Sequence, residues 1–319
     1  MTVTRSATPG HIWVNGAIVP ATDPVLSAFD RGFQLGDGIF ETLRARGGRP
    51  TELAEHAARL RHSAAGLAIP LPDDIEATLG GAIDTLLVTE GLADATADAS
   101  VRITVTRGAF YVRGLLPPDE HPDPTIVVQA WPVPPTPASH LEIGLHLVAS
   151  SVRRDPENPL NALKTTSRAD YVFARLEARS EGADDALFLT IDGYLSEATS
   201  ANLFLIRGAQ GTAELATPSL ACAILPGTTR DWILRWAESA GLTTTETWLT
   251  TRDLAEAGEA FLSSSVAGIL PVTRFAGEAV GDGRPGAWTL RARADREAFI
   301  RGEPIIGEPI TGEPIRGER

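Results

Sequence analysis

Four prolines within six residues, Pro132, Pro134, Pro135 and Pro137, stand near the middle of the 319-residue chain. Proline fixes φ and has no backbone N–H, so neither a helix nor an interior strand can run through such a segment. The chain is therefore expected to fold as two bodies joined by a linker, residues 131–139, with a small N-terminal domain at 1–130 and a larger one at 140–300. Its length agrees, because single hydrophobic cores stop growing at about 250–300 residues. From Arg301 onward Gly-Glu-Pro-Ile repeats three times. With little to bury, the stretch 301–319 is expected to be a disordered tail.

Both halves mix strand and helix signals. Alternation around Asn15-Gly16 predicts a strand–turn–strand over 11–20. The polar, glycine-bearing stretch 30–38 reads as a loop and 39–44 as a strand. Leu53, Ala57, Leu60 and Ala64 share a helical stripe within 51–67, and 77–92 reads as a second helix. Strands are expected at 101–105, 125–130, 140–152, 186–191, 201–206 and 260–263. Helices are expected at 167–180, 228–240 and 290–299.

A net charge of −13 argues against nucleic acid or an anionic membrane as the partner. No apolar run approaches the roughly 18 residues of a membrane span. Cys222 is alone and reads as a small core residue, and no signal-peptide pattern is visible, so a cytoplasmic protein is expected. The histidines show no metal-ligand spacing, and no metal is expected.

The cationic residues are more informative. Of 28 Lys and Arg only one is lysine, Lys164. Arginine serves this chain wherever a permanent charge suffices. It cannot supply a primary amine that loses its proton, attacks a carbonyl and forms a Schiff base. That singles out Lys164 as a candidate catalytic amine.

Its surroundings carry further motifs: DRGFQLGDGIFETLR at 30–44, HAARLR at 56–61, LKTTSRADY at 163–171, YLSEATSANLF at 194–204, LPGTTR at 225–230 and FLSSSVAGILPV at 261–272. In order and spacing they resemble the fold-type IV family of pyridoxal-phosphate enzymes over about residues 11–300. That family comprises branched-chain aminotransferases, D-amino acid aminotransferases, (R)-amine transaminases and aminodeoxychorismate lyases. The resemblance implies two α+β domains with pyridoxal 5′-phosphate between them. It also implies a homodimer in which a loop of one subunit completes the other's site. Lys164 would hold the cofactor and move the substrate proton, and Glu197 would face the pyridine nitrogen. Arg59, Thr228, Thr229, Ser265 and Val266 match the family's phosphate site. Gly227-Thr228-Thr229 also stands where a helix begins, and free N–H groups there favour an anion. Arg168 takes the place where branched-chain enzymes carry a tyrosine against the cofactor's phenolic oxygen, as it does in the lyases.

The substrates implied are an amino acid and a 2-oxo acid. Phe40 and Arg44 occupy the aromatic and arginine positions of the branched-chain pattern. The best-known D-amino acid enzymes instead have tyrosine at the place of Phe40, and complete a carboxylate trap with Arg-x-His after a Thr-Arg-Gly turn. Here Thr106-Arg107-Gly108 leads into Ala109-Phe110-Tyr111-Val112-Arg113, with no histidine and the arginine one residue late. The expected reaction is transamination, with D-amino acids ahead of branched-chain L-amino acids and Arg44 and Arg113, near Tyr111, holding the α-carboxylate, Arg113 from a loop that can act across the dimer interface. Aminodeoxychorismate cleavage to pyruvate and 4-aminobenzoate, branched-chain transamination, and a cofactor-binding homologue without turnover remain as alternatives.

Overall fold

The computed structural model describes residues 8–117, 123–208 and 213–305. Among them, residues up to Pro132 build an antiparallel six-stranded sheet. Its order is Ala17–Pro20, His11–Val14, Thr125–Pro132, Asp98–Thr106, Gly38–Arg46, Arg49–Pro50. The alternation along Asp98–Thr106 explains the sheet's two faces. Val101, Ile103 and Val105 point into a core closed by the helices Leu53–Gly66 and Ile75–Thr89, which contribute Leu60, Leu79, Ile83 and Leu87. Each such side chain stabilises the fold by about 1.5–3 kcal/mol. The opposite face is left with Phe40, Thr42 and Arg102, and Thr42 pairs directly with Arg102 across the strands.

Residues from Leu145 onward build a nine-stranded mixed sheet. The order along it is Thr243–Thr247, Glu214–Pro218, Asn202–Arg207, Glu259–Ser264, Gly268–Phe275, Leu145–Arg154, Asp185–Thr190, Leu195–Ala198, and Glu278–Ala279 pairs with Gly268–Phe275. Every residue of Asp185–Thr190 is buried, as a central strand covered on both faces requires. The helices Thr228–Ser239 and Ala287–Arg301 pack on this sheet through Trp232, Ile233, Trp236 and Ala292, and Ala169–Ser180 packs beside them through Ala174 and Ala178. No helix among the described residues is long and apolar enough to cross a membrane.

Several elements differ from the sequence expectation. The stretch 30–38 contains a short helix, Arg31–Leu35, because the Asp30 carboxylate accepts from Gly32 N at 2.8 Å and caps it. The strand Gly268–Phe275 is hidden in the sequence by Pro271, which sits within the pairing with Glu259–Ser264. The segment 140–152 begins as a helical turn, Ala138–Glu142, and becomes strand only at Leu145. The last helix runs on to Arg301, which pairs with Glu303, so the start of the repeat belongs to the folded body. Residues 306–319 of the expected tail lie outside the described residues.

One short return brings the two sheets together. Phe40 N donates to Lys164 O at 2.9 Å, Thr166 N to Gly38 O at 2.8 Å, and Lys164 N to Ser63 Oγ at 3.1 Å. The segment bearing Lys164 is thus pinned against the first strand of the N-terminal sheet that faces the cavity.

Candidate active site

Between the sheets lies a cavity of about 470 Å³. That volume suits a small cofactor with its substrate. Of the residues singled out in the sequence, Phe40, Lys164, Arg168 and Glu197 line it, and so do Arg59, Thr228, Thr229, Ser265 and Val266.

Lys164 directs its amine inward, with Nζ 4.8 Å from the centre of the Phe40 ring. Burial lowers its pKa first; the Arg59 charge adds to this, opposed by Glu41, and the result is about 7. A large fraction of this amine is therefore neutral and nucleophilic near neutral pH.

The anion-ready end is built on charge and free N–H groups. The helix Thr228–Ser239 begins at Gly227 with no side-chain cap, so its first-turn N–H groups remain available. A Cβ on Gly227 would lie 2.1 Å from Asn202 Oδ1, so any larger residue there would displace that side chain. Thr228 Oγ1 stands 3.4 Å from both Ser265 Oγ and His56 Nε2. Arg59 donates through Nε and Nη2 to the Glu41 carboxylate at 2.8 and 2.7 Å, and through Nη1 to Pro226 O at 2.8 Å. Three of its five N–H groups are so occupied, which fixes the fork and leaves two for a ligand. Ser263 Oγ, on the cavity wall, is buried without a hydrogen-bond partner among the described residues.

At the other side stands Glu197, on the strand Leu195–Ala198. It accepts from Leu225 N at 3.0 Å, and Tyr171 Oη and Asn202 Nδ2 approach it at 3.5 Å. Burial raises its pKa, chiefly against the Arg154 charge.

The part expected of Arg44 needs correcting. Arg44 is buried, and its guanidinium donates to Asp98 at 2.7 and 2.6 Å and to Glu297 at 2.7 Å. It ties the N-terminal sheet to the last helix and does not line the cavity. Tyr111 is 77 % exposed and packs on Phe29, with ring centroids 5.0 Å apart, and Arg113 is exposed on the same loop. This chain does not bring either of them to its own cavity.

Arg102, absent from the sequence expectation, is what the cavity offers instead. Its guanidinium lies 4.1 Å above the Phe40 ring and has no ion pair or hydrogen bond among the described residues. Burial lowers its pKa, and the nearby Arg168 charge lowers it further. Arg168 lies 5.4 Å from the same Phe40 ring and 3.2 Å from the Tyr171 ring centre, and is likewise without a carboxylate partner among the described residues. Two cations that repel each other around one aromatic ring form a site suited to an anion. The signal for Arg102 was present in the sequence, as a charge within the apolar alternation of Val101, Ile103 and Val105. Glu41 was missed because a buried carboxylate in a strand gives no pattern of its own, and His56, on the helix Leu53–Gly66, because only the fold brings it to Glu41.

The family model for amino-transferase class IV matches residues 38–275. A putative branched-chain-amino-acid aminotransferase of Methanocaldococcus jannaschii is 34 % identical over 88 % of this chain and 93 % of its own length. A D-alanine aminotransferase of Listeria innocua is 30 % identical over 88 % and 92 %. Among solved structures, the branched-chain amino acid aminotransferase of Escherichia coli superposes with a TM-score of 0.83 at 27 % identity, covering 93 % of this chain and 96 % of that one. The 4-amino-4-deoxychorismate lyase of Pseudomonas aeruginosa gives 0.75 at 33 % identity, covering 90 % and 98 %. The two-sheet α+β fold is thus the one expected from the motifs, and the chain belongs to the class IV aminotransferases.

Proposed function

We propose that the protein is a pyridoxal 5′-phosphate-dependent aminotransferase that moves an amino group between an amino acid and a 2-oxo acid. The carrying observation is the chain's single lysine, its amine at a pKa of about 7, in a cavity with an anion-ready end and a buried carboxylate. The donor set fits the cofactor: Arg59, Thr228, Thr229, Ser265 and Val266 for a phosphate, Lys164 for an aldehyde, Glu197 for a ring nitrogen. When bound, pyridoxal phosphate supplies that aldehyde and a ring that withdraws the electrons left when the substrate Cα–H bond breaks. Lys164 Nζ takes the proton from Cα, a task suited to a base poised near neutrality. Glu197, as a carboxylate, holds a proton on the ring nitrogen. Arg168 supports the cofactor side, and Arg102 beside Phe40 receives the substrate carboxylate in place of Arg44.

D-amino acids are proposed as the preferred donors. Arg168 at the position of the branched-chain tyrosine supports this, as do the D-alanine aminotransferases among the relatives. A homodimer is proposed as the working form. Phe33, Tyr111, Leu115 and Leu116 are 77–88 % exposed, a second copy would cover them, and Tyr111 and Arg113 would then reach the partner's cavity. Aminodeoxychorismate cleavage is the second reading, favoured by the same Arg168 and by the likeness to the Pseudomonas lyase.

The test is a single-turnover screen of the cofactor-loaded protein against D- and L-amino acids, (R)-amines and aminodeoxychorismate. Fast bleaching of cofactor absorbance by a D-amino acid, restored by a 2-oxo acid, is the expected result. Release of 4-aminobenzoate with no amino transfer would replace transamination by the lyase reading.

A further inference from the structure

Arg154 ends the strand Leu145–Arg154 just after the point where its register against Asp185–Thr190 shifts, between Ala149 and Arg153. It is buried, and its guanidinium lies 4.3 Å from the ring centres of both Tyr171 and Phe188. The nearest carboxylates are Asp170 at 3.7 Å and Glu197 at 3.8 Å. Neither is a full hydrogen bond, and Nε and Nη2 are buried with no hydrogen-bond partner among the described residues.

An arginine in this state is expensive. Charged pairs elsewhere in the chain close to 2.6–2.8 Å, as Arg44 does with Asp98 and Arg59 with Glu41. A buried guanidinium held off from its carboxylate costs several kcal/mol, so its retention calls for a task beyond packing. The geometry limits what that task is. Arg154 stands behind Glu197, outside the residues that line the cavity, and its Nη2 faces Glu197 Oε1. The contacts of Glu197 with Tyr171 and Asn202 are 3.5 Å long, leaving Leu225 N as its one short donor among the described residues. The rings of Tyr171 and Phe188 meet edge to face, their centres 5.2 Å apart, and the Arg154 guanidinium packs against both.

We propose that Arg154 is a positioning residue that keeps Glu197 charged and aimed at the cofactor's ring nitrogen, touching neither cofactor nor substrate. This rests on the reading of Glu197 given under Proposed function. Burial favours the neutral acid, and a neutral acid could not keep the ring nitrogen protonated. Lys164 and Arg168 also bear on Glu197, but both line the cavity and face its ligands. Arg154 alone among these cations is set apart from the ligand space.

The test uses the full-length protein loaded with pyridoxal phosphate carrying ¹⁵N in the ring, whose resonance separates protonated from neutral pyridine. Arg154→Met and Arg154→Gln should move the resonance toward the neutral form. They should also slow the amino-donor half-reaction by about tenfold or more, the equivalent of at least one pKa unit. Arg154→Lys, which keeps a charge, should retain the protonated signal. Circular dichroism identifies any variant that fails to fold, and the glutamine variant, which keeps hydrogen-bonding capacity, stands in for a misfolded methionine one. Glu197→Gln is measured alongside. If it moves the resonance and the Arg154 variants do not, the Arg154 proposal is overturned while the role of Glu197 stands. If Glu197→Gln leaves the resonance unmoved, the reading of Glu197 falls and this proposal falls with it.

Discussion

Replacing Glu41 by glutamine removes one charge from a buried group of three and leaves the shape nearly unchanged. Burial alone would push the Glu41 carboxyl up. The Arg59 hydrogen bonds and charge, followed by those of His56, overcome this and hold it at about 2, against an ordinary 4.5. That displacement corresponds to roughly 3 kcal/mol favouring the charged folded form. Because the folded pKa is depressed, the stabilisation is complete above about pH 4.5 and disappears as the pH falls through about 2. Glu41→Gln should therefore cost roughly 3 kcal/mol near neutral pH, at the lower end of what breaking a buried pair costs. The difference from wild type should shrink steadily below about pH 4.5. Urea unfolding of the cofactor-free protein at about pH 7 and about pH 3 reads both quantities. The same variant should release pyridoxal phosphate faster on dialysis, since Arg59 loses the acceptor that orients its fork. A stability change within about 0.5 kcal/mol at neutral pH would place Glu41 among ordinary surface substitutions and refute the reasoning. A difference independent of pH would do so equally.

Arg102→Met should raise the KM for amino acids by about tenfold or more, the scale of one lost charged hydrogen bond, while sparing (R)-1-phenylethylamine, which has no carboxylate. Equal effects on both substrates would assign Arg102 a structural part. Arg44→Met should lower the melting temperature while leaving KM within a few-fold of wild type; a selective loss of amino acid affinity would return Arg44 to the substrate. In the cofactor-free protein, the rate of pyridoxal phosphate capture should rise with pH through about 7, as Lys164 loses its proton. A rise centred near 10 would mean that the amine is not perturbed by its surroundings.

What was legible in the sequence divides along physical lines. Periodicity located the helices Leu53–Gly66, Ile75–Thr89 and Thr228–Ser239 because each buries one stripe on a sheet. The Asn15-Gly16 turn could be read because both residues take positive φ, 44° and 98°, a conformation few other pairs tolerate. The strand containing Pro271 could not be read, because its pairing partner is set by the tertiary fold rather than by local preference. At the site, residues within compact motifs, such as Lys164, Glu197 and Thr228, come to one cavity. Arg44 was misassigned because it shares a strand with Phe40 and sequence cannot see Asp98 and Glu297 waiting for it. Arg154 was overlooked for a similar reason: its neighbours Tyr171, Phe188 and Glu197 lie 17 to 43 positions away along the chain.

Lys164 is proposed as the residue that carries the cofactor, and borohydride reduction tests that role directly. The protein loaded with pyridoxal phosphate is reduced, digested and examined by mass spectrometry. A pyridoxyl group on the peptide containing Lys164, and no covalent cofactor or turnover in Lys164→Ala, is the expected result. No other lysine exists to substitute for it. Appreciable amino transfer by Lys164→Ala, or a wild-type protein that binds the cofactor without a reducible link to Lys164, would contradict the account.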